Sequence, residues 1–305
     1  MTNTNFEAKP VCCFGEILWD ILPDGPQPGG APLNAAYHLS KLNISTYLIS
    51  RIGQDPEGKK LEDLMDNWNI GKDLLQSDAD HETGRVIAKI NSGGDMNYEI
   101  MCPVAWDFIE LNTTTITKVK ESEYFIYGSL AARNDTSRNT LFELLNYAKF
   151  KVLDINLRPP FYEKHLLESM LKKADLLKVN ESELREVLGM WNCDLEDENA
   201  QVDYIKKTFK IREVIITKGT NGASYYTSTS VYHAAGIPTQ VCDTVGCGDS
   251  FLAAFISGHL LNESPDIILK KAVVMGSLIA GKKGGCPEYQ LSDLTHYYPI
   301  DLKNE

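Results

Sequence analysis

Short apolar runs that end in a glycine or a polar residue recur along this chain, and most are followed by a stretch with helical spacing. Val11-Cys12-Cys13-Phe14 stops at Gly15, and Thr46 to Ile52 stops at Gly53. Tyr124 to Tyr127 stops at Gly128-Ser129, and Val152 to Arg158 ends in polar groups before Pro159-Pro160. Leu176 to Val179 ends at Asn180, and Val214 to Thr217 leads to Lys218-Gly219. Runs this short suit strands buried on both faces. Their alternation with helices from one end to the other predicts an α/β fold. It has a mostly parallel central sheet with helices on both faces. A chain of 305 residues can bury a large core, and we read residues 1–305 as a single domain.

Two regions break the alternation. Thr83 to Ile90 and Asn97 to Ile100 flank Ser92-Gly93-Gly94-Asp95, a hairpin signal. The segments near 16–28 and 91–108, the latter including Pro103 to Asp107, are read as a small β lid. Asp135 or Thr136 is expected to cap a helix running to Lys149. Ala223 to Tyr226 and Val231 to Ala234 alternate like antiparallel strands. Helices are expected from Asp249 to about Leu261 and from Pro265 to about Ala280.

The net charge of −12 and the lack of a basic patch argue against nucleic acid as a partner. No run is long enough to span a membrane, and the start of the chain carries no apolar signal segment. Seven cysteines without a C-x-x-C pair speak against disulfides and structural zinc and fit a reducing cytoplasm.

Three stretches carry candidate chemistry. Asp243-Thr244-Val245-Gly246-Cys247-Gly248-Asp249 opens directly into an apolar helical pattern at Phe251, Leu252, Phe255 and Ile256. The first N–H groups of a helix lack internal acceptors, and the dipole there favours negative charge. Gly246 and Gly248 leave room for an anion's oxygens, and Asp249 places a carboxylate beside them. Taking a proton from a hydroxyl that attacks a phosphate is a task that would justify that carboxylate; an Asp N-cap after a flexible turn would look the same. Gly29-Gly30-Ala31-Pro32-Leu33-Asn34 lets a small polar ligand lie against backbone, with Asn34 offering donor and acceptor. Gly53 to Lys60 matches a phosphate-binding P-loop except at the last position. Lys60 there has no hydroxyl for Mg²⁺, so a P-loop NTPase is disfavoured. Polar clusters recur at strand ends: Asp154/Asn156/Arg158, Asn180/Glu183 and Gly219. The carboxyl ends of such strands form the ligand crevice, where a nucleotide and a small polar substrate could meet.

Taken together, these motifs resemble the ribokinase-like, or PfkB-type, sugar kinases over about Val11 to Pro287. Gly29 to Asn34 is similar to the family's sugar-site motif, Asn180-x-x-Glu183 to its N-x-x-E motif, and Asp243 to Asp249 to its D-T-x-G-A-G-D signature. Phe125 to Ser129 and Asp154 to Arg158 look most like fructokinases.

The resemblance implies an ATP-dependent kinase for the 6-hydroxyl of fructose. Alternatives are a kinase for ribose or 2-keto-3-deoxygluconate, and a non-catalytic sugar-binding relative. It implies Asp249 as general base and the backbone of Gly246, Cys247 and Gly248 as anion hole. Asp20, Gly29, Gly30 and Asn34 would hold the sugar, and Arg158 the phosphate or the sugar. Asn180 and Glu183 would organise Mg²⁺ through water, and Thr217, Gly219 and Gly222 would line the ATP site. Asp243 and the Val245 backbone would join a K⁺ site, and a homodimer through the lid is within its range. The chain departs from the signature at Cys247, where alanine is usual. A thiol at a helix start is expected to feel a field that favours thiolate, with burial opposing it.

Overall fold

The computed structural model describes residues 9–90 and 96–295. The chain begins with β1 (Val11–Phe14), β2 (Leu18–Leu22), β3 (Gly25–Gly29), α1 (Ala31–Lys41), β4 (Thr46–Gly53), α2 (Pro56–Asn67) and β5 (Leu75–Asp78). It continues through β6 (Gly84–Ile90), β7 (Met96–Ile100), α3 (Thr113–Glu121), β8 (Tyr124–Gly128), α4 (Asp135–Leu144) and β9 (Phe150–Asp154). Then follow α5 (Lys164–Leu171), β10 (Leu176–Asn180), α6 (Glu181–Met190), α7 (Glu198–Phe209), β11 (Glu213–Thr217), β12 (Ala223–Tyr226) and β13 (Val231–Ala234). The described part closes with α8 (Cys247–Leu260), α9 (Pro265–Ala280) and α10 (Leu291–Thr295).

The large sheet has the order β13-β12-β11-β10-β9-β8-β1-β4-β5. Every pairing from β11 through β5 is parallel, and β12 and β13 add an antiparallel edge. Strand side chains alternate between faces, so each central strand feeds two cores. Val11, Cys13, Ile126 and Val152 join the core shared with α1, α2, α8 and α9. Cys12, Phe14, Phe125, Tyr127 and Leu153 join the core shared with α3 to α7. Both faces are thus covered, as the unbroken apolar runs predict. A second sheet, ordered β3-β2-β6-β7, stands apart from the first.

Several local expectations need correction. Residues 105–108, expected in the lid, form a 3-10 turn, and the Trp106 within it is fully buried. Ser137 Oγ of α4 donates to Trp106 O at 2.8 Å, which ties this turn to the main body. The cap of α4 is Asn134, whose side chain accepts from Thr136 N; the helix ends at Leu144, not Lys149. Ser92 to Asp95 lies outside the described residues. The P-loop look-alike is the capped start of α2: Asp55 accepts from Gly58 N at 2.7 Å and also from Thr83 N and Oγ1. Its own carboxylate fills the place a phosphate would take. All seven cysteines are free thiols. No helix among the described residues is long and apolar enough to cross a membrane.

The 3-10 turn is held by one buried ion pair. Arg133 Nε and Nη2 donate to the two oxygens of Asp107 at 2.6 and 2.8 Å, with side chains 3% and 0% exposed. The guanidinium stacks on Trp106 and Phe161. Removing one partner of such a pair strands a buried charge. Asp107→Ala is therefore expected to lower unfolding free energy by about 3–5 kcal/mol in urea titration, and a loss below about 1 kcal/mol would contradict this account.

Candidate active site

The carboxyl ends of the parallel strands open into a cavity of about 740 Å³. The second sheet forms its roof. Leu18, Asp20 and Leu22, on one face of β2, line it together with Val86, Tyr98 and Ile100.

At the floor, α8 presents its N-terminus. Its cap is Gly246 in a left-handed conformation, φ 75°, without any side-chain capping bond. A Cβ at that position would stand 2.6 Å from the Gly285 Cα, so only glycine fits. Asp243 clips the preceding loop: its Oδ1 accepts from Val245 N and its Oδ2 from Gly284 N, both at 3.0 Å. Cys247 N is turned to Thr244 O at 3.4 Å. Of the three expected anion-hole donors, Gly246 and Gly248 therefore keep N–H groups without a protein acceptor among the described residues. Both line the cavity, as do Thr244 and Val245.

Asp249 is the third residue of α8 and faces the same space. Asn34 Nδ2 of α1 donates to its Oδ2 at 2.8 Å. Burial and then the Asp154 charge push the Asp249 carboxyl up to about 6; Lys178, Asn34 and Arg158 oppose them. Asn34, expected to hold a substrate, thus also holds Asp249. Its own Oδ1 accepts from Cys286 Sγ at 3.3 Å.

Beside Asp249 is a pair that the sequence reading did not assign. Lys178 Nζ donates to Asp154 Oδ2 at 2.7 Å, and both side chains are under a tenth exposed. The ammonium is 3.1 Å from where a Cβ on Gly248 would stand, so it lies against the open helix start. Burial works against its charge, but Asp154, with Asp249 and Glu183 beyond, outweighs burial and keeps it above the usual lysine range. The sequence carried a signal here: Lys178 is a lone charge inside Leu176-Leu177-Lys178-Val179, a strand buried on both faces.

Asn180 and Glu183 line the cavity from the start of α6, where they also form a capping box. Asn180 Oδ1 accepts from Glu183 N, and Glu183 Oε2 accepts from Asn180 N, each at 2.9 Å. Glu183 Oε1 accepts from Leu157 N at 3.1 Å, tying α6 to the loop after β9. Each carboxylate oxygen keeps a second lone pair, which suits contact with a hydrated cation rather than direct ligation. No group of three or more His, Cys, Asp or Glu among the described residues could hold a metal by itself. Arg158 lies at the exposed rim.

Asp20 is half-buried on β2, and burial pushes its carboxyl up to about 6, with Arg158 opposing and Asp243 and Asp249 adding to the rise. Gly30 lines the cavity at φ 107°. Gly29 does not line it; a Cβ there would fall 2.1 Å from Asp20 Oδ2, so this glycine makes room for that carboxylate. Thr217 and Gly219 also reach the cavity wall. Gly222 does not: a Cβ there would meet Ala234 O at 1.9 Å, and this glycine serves the approach of β13.

At Cys247, where the field of a helix start and burial are expected to oppose each other, burial prevails. The side chain is half-buried, outside the cavity lining, and its Sγ donates to Asp243 O at 3.7 Å. Burial, then the charges of Asp243 and Asp249, push the thiol up to about 11 and outweigh the helix dipole. Iodoacetamide at neutral pH is expected to label the exposed Cys102 and Cys242 well ahead of Cys247, read by peptide mass spectrometry. Labelling of Cys247 first would reverse this ranking.

The family model described as pfkB family carbohydrate kinase matches residues 25–290. A fructokinase of Escherichia coli is 27% identical over 265 residues, which are 82% of this chain and 84% of that protein. The structure of a fructokinase with bound ATP from Xylella fastidiosa superposes with a TM-score of 0.84 at 20% identity, covering 96% and 99% of the two chains. An aminoimidazole riboside kinase from Salmonella enterica superposes at 0.78 and 19%, covering 94% and 99%. At these identities the structural likenesses establish the ribokinase-like fold alone. The match over most of the sequence establishes more: this chain belongs to the PfkB family of carbohydrate kinases and is a sugar phosphotransferase.

Proposed function

We propose that the chain transfers the γ-phosphoryl group of ATP to the 6-hydroxyl of fructose. The observation that carries this reading is the meeting of three groups in one cavity: the Asp249 carboxylate, the uncapped start of α8, and the Lys178 ammonium against Gly248. In the transfer, Asp249 takes the hydroxyl proton while the new O–P bond forms and the bond to the leaving ADP oxygen breaks. The Gly246 and Gly248 N–H groups and Lys178 offset charge on the transferring group. Thr217 and Gly219 line the nucleotide end, and Asp20, Gly30 and Asn34 the sugar end. Magnesium, held through water near Asn180 and Glu183, would neutralise phosphate charge. Asp243 and the Val245 backbone would border a K⁺ site, although both Asp243 oxygens already accept N–H bonds.

Fructose is favoured by the fructokinase relative, which matches along most of both chains. The shared fold of the riboside kinase keeps a different sugar as the second reading. A panel of sugars with ATP and Mg²⁺, ranked by kcat/KM, decides between them. Fructose ranking below ribose or 2-keto-3-deoxygluconate would overturn the assignment. A homodimer through the small sheet belongs to the same proposal and is read by sedimentation.

Asp249→Asn is expected to lower kcat by about two to four orders of magnitude while the sugar and ATP KM values change little. The base must be charged to accept a proton, so activity should rise with pH through about 6 and level off above. Asn34→Ala removes a bond that favours the charged form, so that limb should move to higher pH. A pH–rate profile unchanged in Asn34→Ala would contradict the role given to that bond.

A further inference from the structure

Glu16, on the turn between β1 and β2, lines the cavity and is 3% exposed. A Cβ on Gly30 would stand 2.4 Å from Glu16 O and 3.3 Å from its Cγ, so the residue is packed directly under the acceptor loop. Its carboxyl reaches the start of α1, a helix whose cap residue, Gly30, has no side chain to offer. The N–H groups of Glu16 itself and of Ala31 face it, as do Arg158 from the loop after β9 and Asp249 from α8. One oxygen, Oε2, is buried and has no hydrogen-bond partner among the described residues.

Of the other carboxylates at this end of the cavity, Asp20 is only half-buried and faces the open space, whereas Asp249 and Asp243 are engaged. Asp249 Oδ2 accepts from Asn34, and both oxygens of Asp243 accept backbone N–H groups. A buried carboxylate oxygen without a partner is strongly disfavoured. At the wall of a ligand cavity, the partner is supplied by what occupies the cavity. The occupant here is the sugar, whose hydroxyls are donors.

We propose that Glu16 is a specificity-determining residue of the acceptor site, its carboxylate accepting a hydrogen bond from a sugar hydroxyl other than the one Asp249 deprotonates. This rests on the reading of the cavity's acceptor end as a sugar site. It makes binding depend on pH separately from catalysis. Burial pushes the Glu16 carboxyl up to about 7, whereas Asp20 and Asp249 stand at about 6. A charged carboxylate is the stronger acceptor, so the sugar KM should rise as pH falls through about 7.

Two variants test this. Glu16→Met keeps length and removes the acceptor; the sugar KM should rise about tenfold to a hundredfold with the ATP KM unchanged. Glu16→Gln keeps an acceptor but cannot ionise; its sugar KM should stay near the low-pH value of the wild type and show no step near pH 7. In a deoxy-sugar series, wild type should show a penalty at one position that vanishes in Glu16→Met. A Glu16→Met variant that melts like wild type and keeps its sugar KM within about twofold would overturn the assignment. If Glu16→Met does not fold, a pH step retained in Glu16→Gln would overturn it alone. A wild type inert on every sugar would overturn the sugar-site reading as well, whereas an active wild type with indifferent variants removes only Glu16.

Discussion

The site depends on where one helix begins. From Ser250 to Gly258 every residue of α8 is buried, so the helix has no polar face to turn to water. It must lie inside the molecule, and α1 and α9 pack along it there. Its axis, and with it the position of its first N–H groups, follows from core packing rather than from loop geometry. Gly246 and Gly285 then touch so closely that the loop has one path. The Asp243 clip and the Lys178 ammonium take their places around a fixed point.

The other helix starts near the strand ends set the start of α8 apart as the proposed anion site. Asp55 fills the start of α2, and Asn180 with Glu183 fills that of α6. Glu16 faces the start of α1. In each, a side chain of the protein already answers the unpaired N–H groups and the dipole. The start of α8 has no such side chain, and a buried cation lies against it. Positive potential without a resident anion is the electrostatic condition for holding a transferred phosphoryl group. The P-loop look-alike has comparable glycines but is filled by its own carboxylate.

Much of this was legible in the sequence, because apolar runs buried on both faces read plainly and strand ends carried the polar residues. The proposed general base and its glycine loop could be named because their spacing is local. What escaped depended on contacts between distant residues. Lys178 and Asp154 sit on adjacent strands, and only the register of β9 and β10 brings them together. Gly29 and Gly222 looked like ligand-contacting glycines, but Gly29 makes room for the Asp20 carboxylate and Gly222 for the backbone at Ala234, outside the lining. Trp106 came three residues after Pro103, beyond the hairpin signal, and read as lid, whereas its ring is held in the body by Arg133. At Cys247 both the field of a helix start and the opposing burial could be read from sequence, and the three-dimensional packing decides in favour of burial.

The bond between Asn34 and Asp249 spans 215 positions of chain, and His38 reaches the Gly285 carbonyl across 247. Contacts of such separation close very large loops and tend to form late in folding. During synthesis, β1 precedes the strands it pairs with and belongs inside the sheet, between β4 and β8. The acceptor half of the cavity therefore emerges long before the helix that completes it. Until residues 247–285 have been added, the core face of α1 lacks its partner and apolar surface stays uncovered. Catalytic competence and relief from aggregation during translation thus arrive with the same last stretch of chain.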